Sequence, residues 1–155
     1  MSTWNQQALI EAPVEQVWSL LQDPERYNEW NEEIVEVTGA PTKIEKGATF
    51  DLTGPSPIGK KVTTTFKVEE FDELHEIKLR CQTSGYYSRW ILTDARGSTF
   101  ADVELGVEPI PGLQGRVSGA LHTKRYLRRT LEQSLDGLRR AVRSARDAGA
   151  GTTQK

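Results

Sequence analysis

Ile10-Glu11-Ala12-Pro13-Val14-Glu15-Gln16-Val17-Trp18-Ser19-Leu20-Leu21-Gln22-Asp23-Pro24-Glu25-Arg26-Tyr27-Asn28-Glu29-Trp30-Asn31 is the stretch on which the fold turns. It closes an alternating run, with Trp4, Gln6, Ala8 and Ile10 on one side and Asn5, Gln7 and Glu11 on the other, the period of a half-buried strand that Leu9 disturbs. Ala12-Pro13 breaks the alternation, and Val14, Val17, Trp18 and Leu21 then recur at helical spacing until Asp23-Pro24 stops them. Tyr27 and Trp30, three apart among polar residues, predict a second short helical turn that carries its aromatics into a core.

Downstream, from Ile34 to Val107, the pattern changes to strands. Gly39-Ala40-Pro41, Gly47, Gly54-Pro55-Ser56-Pro57, Asp72-Glu73, Ser84-Gly85 and Arg96-Gly97 punctuate it as in an antiparallel meander. Between the breaks, Phe50 and Leu52, then Val62, Thr64, Phe66 and Val68, then Ile77, Leu79 and Cys81, then Ala101, Val103, Leu105 and Val107 alternate with polar neighbours. Such a sheet has one wet face and one that must be covered. The cover is the last element, read over about residues 119–147. It lacks proline and places Leu127, Leu131, Leu135, Leu138, Val142 and Ala145 within about 80° of arc at roughly 100° per residue. Residues 1–148 therefore read as one α+β domain, and 149–155 as a small, polar, disordered tail.

Composition narrows the function classes. At 155 residues the chain can bury a single core without staples. Twenty Lys and Arg against 22 Asp and Glu argue against nucleic acid or an anionic membrane as the main partner. Residues 116–146 nevertheless form a basic face, read first as solvated helix surface and second as a dock for something acidic. One Cys and two His offer neither a disulfide nor zinc or iron-sulfur spacing, so no metal and no cofactor is expected. Met1–Gln7 lacks the basic-then-apolar order of a secretory leader, and no apolar run approaches the ~18 residues of a membrane span. The expectation is a cytoplasmic protein, not inserted in a membrane, monomeric or weakly homodimeric.

The stretch 10–31 resembles the opening of the SRPBCC superfamily of START-like, helix-grip proteins, in particular its polyketide cyclase/dehydrase and coenzyme Q-binding-like members. Their pattern of apolar strand, Ala-Pro, helix with Val-Trp, Asp-Pro, then Tyr and Trp is matched part by part. The resemblance extends through Gly47-Ala48-Thr49-Phe50, through Ala95-Arg96-Gly97-Ser98-Thr99 and through the terminal helix. It implies a helix-grip fold: a curved antiparallel sheet of about seven strands wrapped on a long C-terminal helix, with two short helices after the first strand. It also implies a cavity between sheet and helix. Fold alone does not name a reaction, since the family holds ligand carriers, lipid-transfer domains, aromatase/cyclases and chaperone regulators.

The expected apolar wall is Phe50, Leu52, Phe66, Ile77, Leu79, Tyr86, Trp90, Val103, Leu127 and Leu131, each of which alone could be plain core. Leu113 and Val117, in the segment 109–117, and residues 54–59 read either as lips of an entrance or as ordinary connections. Specificity would come from inward polar groups. Gln6 falls with Ala8 and Ile10, Lys124 falls on the leucine arc, and Thr64 and Ser88 share the parity of Phe66 and Trp90. Lys124 either grips a ligand carboxylate or enolate oxygen or snorkels to solvent. Tyr86 could place its hydroxyl at the rim. Strand 86–93 is ambiguous: Tyr86, Ser88, Trp90 and Leu92 are chosen as inward, because the opposite parity would send Trp90 into water and turn Arg89 into a catalytic cation.

His75 and His122 read as exposed. No Ser-His-Asp order, phosphate loop or paired inward carboxylates can be assembled, and Asp51 is the one strand carboxylate worth testing. The first functional expectation is a carrier or sensor of a small hydrophobic ligand, a lipid or an aromatic, polyketide-like metabolite. The alternative is an aromatase/cyclase or dehydratase using Lys124, Tyr86 or Arg89, since proximity alone supplies up to about 7–11 kcal/mol. A protein-binding regulator using the arginine face is the third.

Overall fold

The computed structural model describes residues 2–55, 60–108 and 124–153. In chain order the elements are β1 (Ser2–Ile10), α1 (Val14–Leu21), a 3₁₀ turn (Pro24–Arg26), α2 (Tyr27–Trp30), β2 (Glu36–Thr38), β3 (Thr49–Pro55), β4 (Lys61–Asp72), β5 (Glu76–Cys81), β6 (Tyr86–Ala95), β7 (Ser98–Val107) and α3 (Lys124–Thr153). The seven strands form one antiparallel sheet in the order β1-β7-β6-β5-β4-β3-β2. This is the helix-grip architecture: a meander from β2 to β7 that β1 completes at the far edge, with the helices on one face.

The inward parity is fixed by registers that put large apolar pairs opposite one another, Phe50 against Phe66, Ile77 against Trp90, and Trp90 against Val103. The outer face is charged. Lys78 and Arg80 pair with Glu69 and Glu108, and Arg89 pairs with Glu76 at 2.6 Å. Simple alternation fails once. A bulge between Val68 and Glu70 makes Glu69 an extra residue, so that Phe71, and not Glu70, returns to the inner face, where its ring tilts against Trp18 at 5.4 Å. At the β6–β7 hairpin, Arg96 and Gly97 both take positive φ, 56° and 88°, as a two-residue turn of primed type requires.

Tyr27 and Trp30 do more than fill space. Helix α1 ends with carbonyls that have no partner within the helix. The Tyr27 hydroxyl donates to the Leu21 carbonyl at 2.7 Å, and the Trp30 indole N–H donates to the Leu20 carbonyl at 3.3 Å. The aromatic pair thus satisfies the end of α1 while its rings enter the core.

Helix α3 lies over the sheet with Leu127, Leu131, Leu135, Leu138 and Val142 buried. Ala145, on the same arc, is exposed. The backbone stays helical through Thr153, where the sequence predicts a tail from residue 149. Each residue added to an existing helix gains a hydrogen bond, and that offsets the low propensity of Gly149 and Gly151. Gly137 is where α3 meets α2: a methyl group on it would overlap the Trp30 carbonyl oxygen. Among the described residues, no helix is long and apolar enough to cross a membrane.

Candidate functional site

The gap between sheet and α3 is filled along part of its length and empty along the rest. Where Trp18, Tyr27, Trp30, Trp90 and the leucines of α3 converge, rings meet edge-on at 5.6–5.8 Å and the interior is packed. Beyond them the facing side chains shorten to Thr64, Cys81 and Ser88 on the sheet, Ser84 in the β5–β6 turn, and Thr130 and Ser134 on α3, which leaves a cavity of about 280 Å³. That is far more than one or two waters occupy. Leu52, Phe66, Ile77, Leu79 and Leu105 give it apolar walls. Exposed Val62 carries it to the surface.

The candidates read from sequence divide in two. Leu52, Thr64, Phe66, Ile77, Leu79, Tyr86, Ser88 and Trp90 line the cavity, and the parity chosen for strand 86–93 is the one observed. Phe50, Val103, Leu127 and Leu131 do not. They are packed core, and Phe50 meets the Tyr27 ring at 6.1 Å. Gln6 accepts a hydrogen bond from the Trp4 indole at 3.2 Å and is not among the lining residues. Lys124, at the first described turn of α3, is exposed and is not among the lining residues. Arg89 sits on the outer face with Glu76, and Asp51, also outward, accepts from Thr65 at 2.7 Å. His75 is exposed, one ring nitrogen 3.0 Å from the Leu92 carbonyl. Leu113, Val117 and His122 lie outside the described residues. The basic face of α3 is partly engaged within the chain, Arg139 to the Leu9 carbonyl and Arg140 to Glu32.

Sequence reading missed the polar end of the cavity. Tyr126, Thr130 and Ser134 repeat every four residues beside the leucine stripe, a signal visible in the sequence but eclipsed by the leucines. Glu33 gave no such signal, since it follows α2 in an irregular segment. Burial raises the Glu33 carboxyl above its ordinary value, and nearby Arg129 only partly offsets this. Burial, with the Tyr126 hydroxyl and Glu33 close by, lifts the Tyr86 hydroxyl well above the usual phenol range. Tyr126 is raised as well, by burial and Glu33, against an opposing hydrogen bond with Thr130. Two phenols that stay protonated can donate to a ligand oxygen, and a carboxylate can accept from a ligand hydroxyl or amine. Among the described residues no cluster of three or more His, Cys, Asp or Glu could hold a metal ion.

A family model described as polyketide cyclase/dehydrase and lipid transport matches residues 1–143. No curated protein matches the chain. Among solved structures, a START superfamily protein from Mycobacterium smegmatis is 21% identical, with a TM-score of 0.74 over 94% of this chain and 99% of its own. A protein from Thermus thermophilus is 19% identical, with a TM-score of 0.69 over 92% and 98%. The di-domain ARO/CYC StfQ from the steffimycin biosynthetic pathway is 17% identical, with a TM-score of 0.63 over 96% of this chain and 51% of that one. At these identities the likeness carries the fold alone.

Proposed function

The chain belongs to the polyketide cyclase/dehydrase and lipid transport family, and we propose that it is a binding protein, a carrier or sensor, for a small hydrophobic molecule held between its sheet and α3. The observation that carries this reading is the cavity of about 280 Å³, apolar in its walls and polar at one end. Its size lies close to the lower bound of about 300 Å³ for small-molecule sites, so the ligand is compact. Its lining is continuous with a packed core on one side and reaches solvent on the other, as a site that loads and unloads requires.

The test is fluorescence of N-phenyl-1-naphthylamine, a neutral apolar probe that brightens on leaving water. Saturable enhancement, lost when Ser88→Trp fills the space, is expected. Enhancement that persists unchanged in that variant would place the probe elsewhere and remove the support for this reading.

A second reading, an aromatase/cyclase or dehydratase, is favoured by the grouping of Glu33, Tyr86 and Tyr126 at one end of the cavity. In it the Tyr86 hydroxyl, held protonated, donates to a developing enolate oxygen, and the shaped wall folds the chain of the substrate. Lys124 and Arg89 have no part in it. Turnover of an aromatic polyketide precursor by wild type, with Tyr86→Phe reduced at least about tenfold, is expected; equal turnover by both proteins would exclude Tyr86 from the step.

A further inference from the structure

The cavity's polar end has a charge sign. The sequence left Lys124 either as a grip for a ligand carboxylate or as a side chain reaching solvent, and Lys124 is exposed and not among the lining residues. The polar lining comes from neutral groups, among them Thr64, Ser88, Tyr86, Tyr126 and Thr130, and from one formally charged group, Glu33. No Lys or Arg lines the cavity among the described residues. Building on the binding reading above, we propose that this site selects apolar molecules with a hydrogen-bond-donating, non-anionic head, a hydroxyl or an amine, and rejects carboxylates.

Three elements converge on that head: the segment after α2 brings Glu33, β6 brings Tyr86, and α3 brings Tyr126. A ligand hydroxyl there donates to the Glu33 carboxylate. A protonated amine adds charge attraction to the same geometry. A carboxylate brings a second anion beside the first, in surroundings too apolar to screen it. The cation acting on Glu33 is Arg129, one turn along α3 from Tyr126. It is exposed and outside the lining, so it moderates the carboxylate without offering a ligand its guanidinium inside the cavity.

The experiment is competition of decanol, decylamine and decanoate against bound N-phenyl-1-naphthylamine at pH 8, on wild type, Glu33→Gln and Arg129→Gln. The three competitors share one chain and differ only in the head. For wild type, decanol and decylamine should displace the probe at concentrations at least about tenfold below decanoate, and Glu33→Gln should shrink that gap to about threefold or less. Circular dichroism checks that each variant keeps its fold, and the wild-type series tests the proposal without any variant. Decanoate competing as well as decanol, or a gap unchanged in Glu33→Gln, overturns the charge selection while the cavity reading stands. Decanoate binding well in wild type and weakly in Arg129→Gln overturns it in favour of the arginine. Displacement by none of the three while the probe stays bound overturns this inference and leaves the cavity reading standing, whereas no saturable probe binding overturns the binding reading and this inference with it.

Discussion

The same helix and the same sheet make two different interiors. Over the half nearest α1 and α2, indole, phenol and leucine side chains close the gap. Alongside it, in a space still bordered by Leu21, Tyr27 and Trp30, hydroxyl and thiol side chains stop short and leave a cavity. The difference lies in side-chain volume at equivalent positions, not in backbone curvature alone. Along α3 the flank beside the leucines runs Tyr126, Thr130, Ser134 and Gly137, shortening until no side chain remains where α2 presses in. A helix tapered in this way packs tightly at one end and stands off at the other.

That contrast can be broken from either side, and the effects should fall in order. Leu131→Ala, in the packed half, should cost about 2–5 kcal/mol in urea unfolding, since Leu131 is fully buried and its neighbours cannot collapse onto the gap. Gly137→Ala should cost about 1–3 kcal/mol by the same measurement, because the methyl meets a backbone oxygen that cannot step aside. The sign is the informative part, as the same change in an open helix stabilises by about 1 kcal/mol. Tyr27→Phe should cost about 1 kcal/mol by orphaning the Leu21 carbonyl at the end of α1.

In the empty half the expectation reverses. Ser88→Leu should change stability by less than about 1 kcal/mol, because there is room for the larger side chain, while abolishing probe binding. The smallest effect is pH-dependent. Glu33 titrates higher in the folded chain than in the unfolded one, so the native state holds its proton more tightly. Its contribution to stability is then lost as pH rises above the ordinary value of 4.5. Glu33→Gln should therefore melt slightly above wild type at pH 7, with the difference gone by about pH 3.5, where both states are protonated.

Most of the fold was legible because it rests on period and punctuation. The alternation of β3 to β7 and the four-and-three spacing of the α3 leucines each encode burial directly. The bulge at Glu69 was not legible, since an inserted residue in a strand whose alternation ends Val68-Glu69-Glu70-Phe71 looks like an irregular end. Of the site, most of the sheet side was readable, with Phe50 and Val103 misplaced into the wall, and the helix side was not. Strand parity divides residues cleanly into two faces, whereas a helix presents a continuum. The reading therefore took the leucines as both core and cavity wall, and the neighbouring Tyr126, Thr130 and Ser134 as neither. Glu33 escaped because its position depends on how α2 ends and on Gly54, whose missing side chain lets the Glu33 carbonyl come close.

Cys81 is the one sulfur nucleophile in the sequence, and it is buried in the cavity wall on β5. The protein therefore carries a built-in gauge of occupancy. The rate at which a small uncharged alkylating reagent tags this single thiol measures how often the space is vacant, with no reporter to engineer and no second cysteine to confuse the count. A natural guest of unknown structure could be pursued through crude extracts simply by the protection it confers.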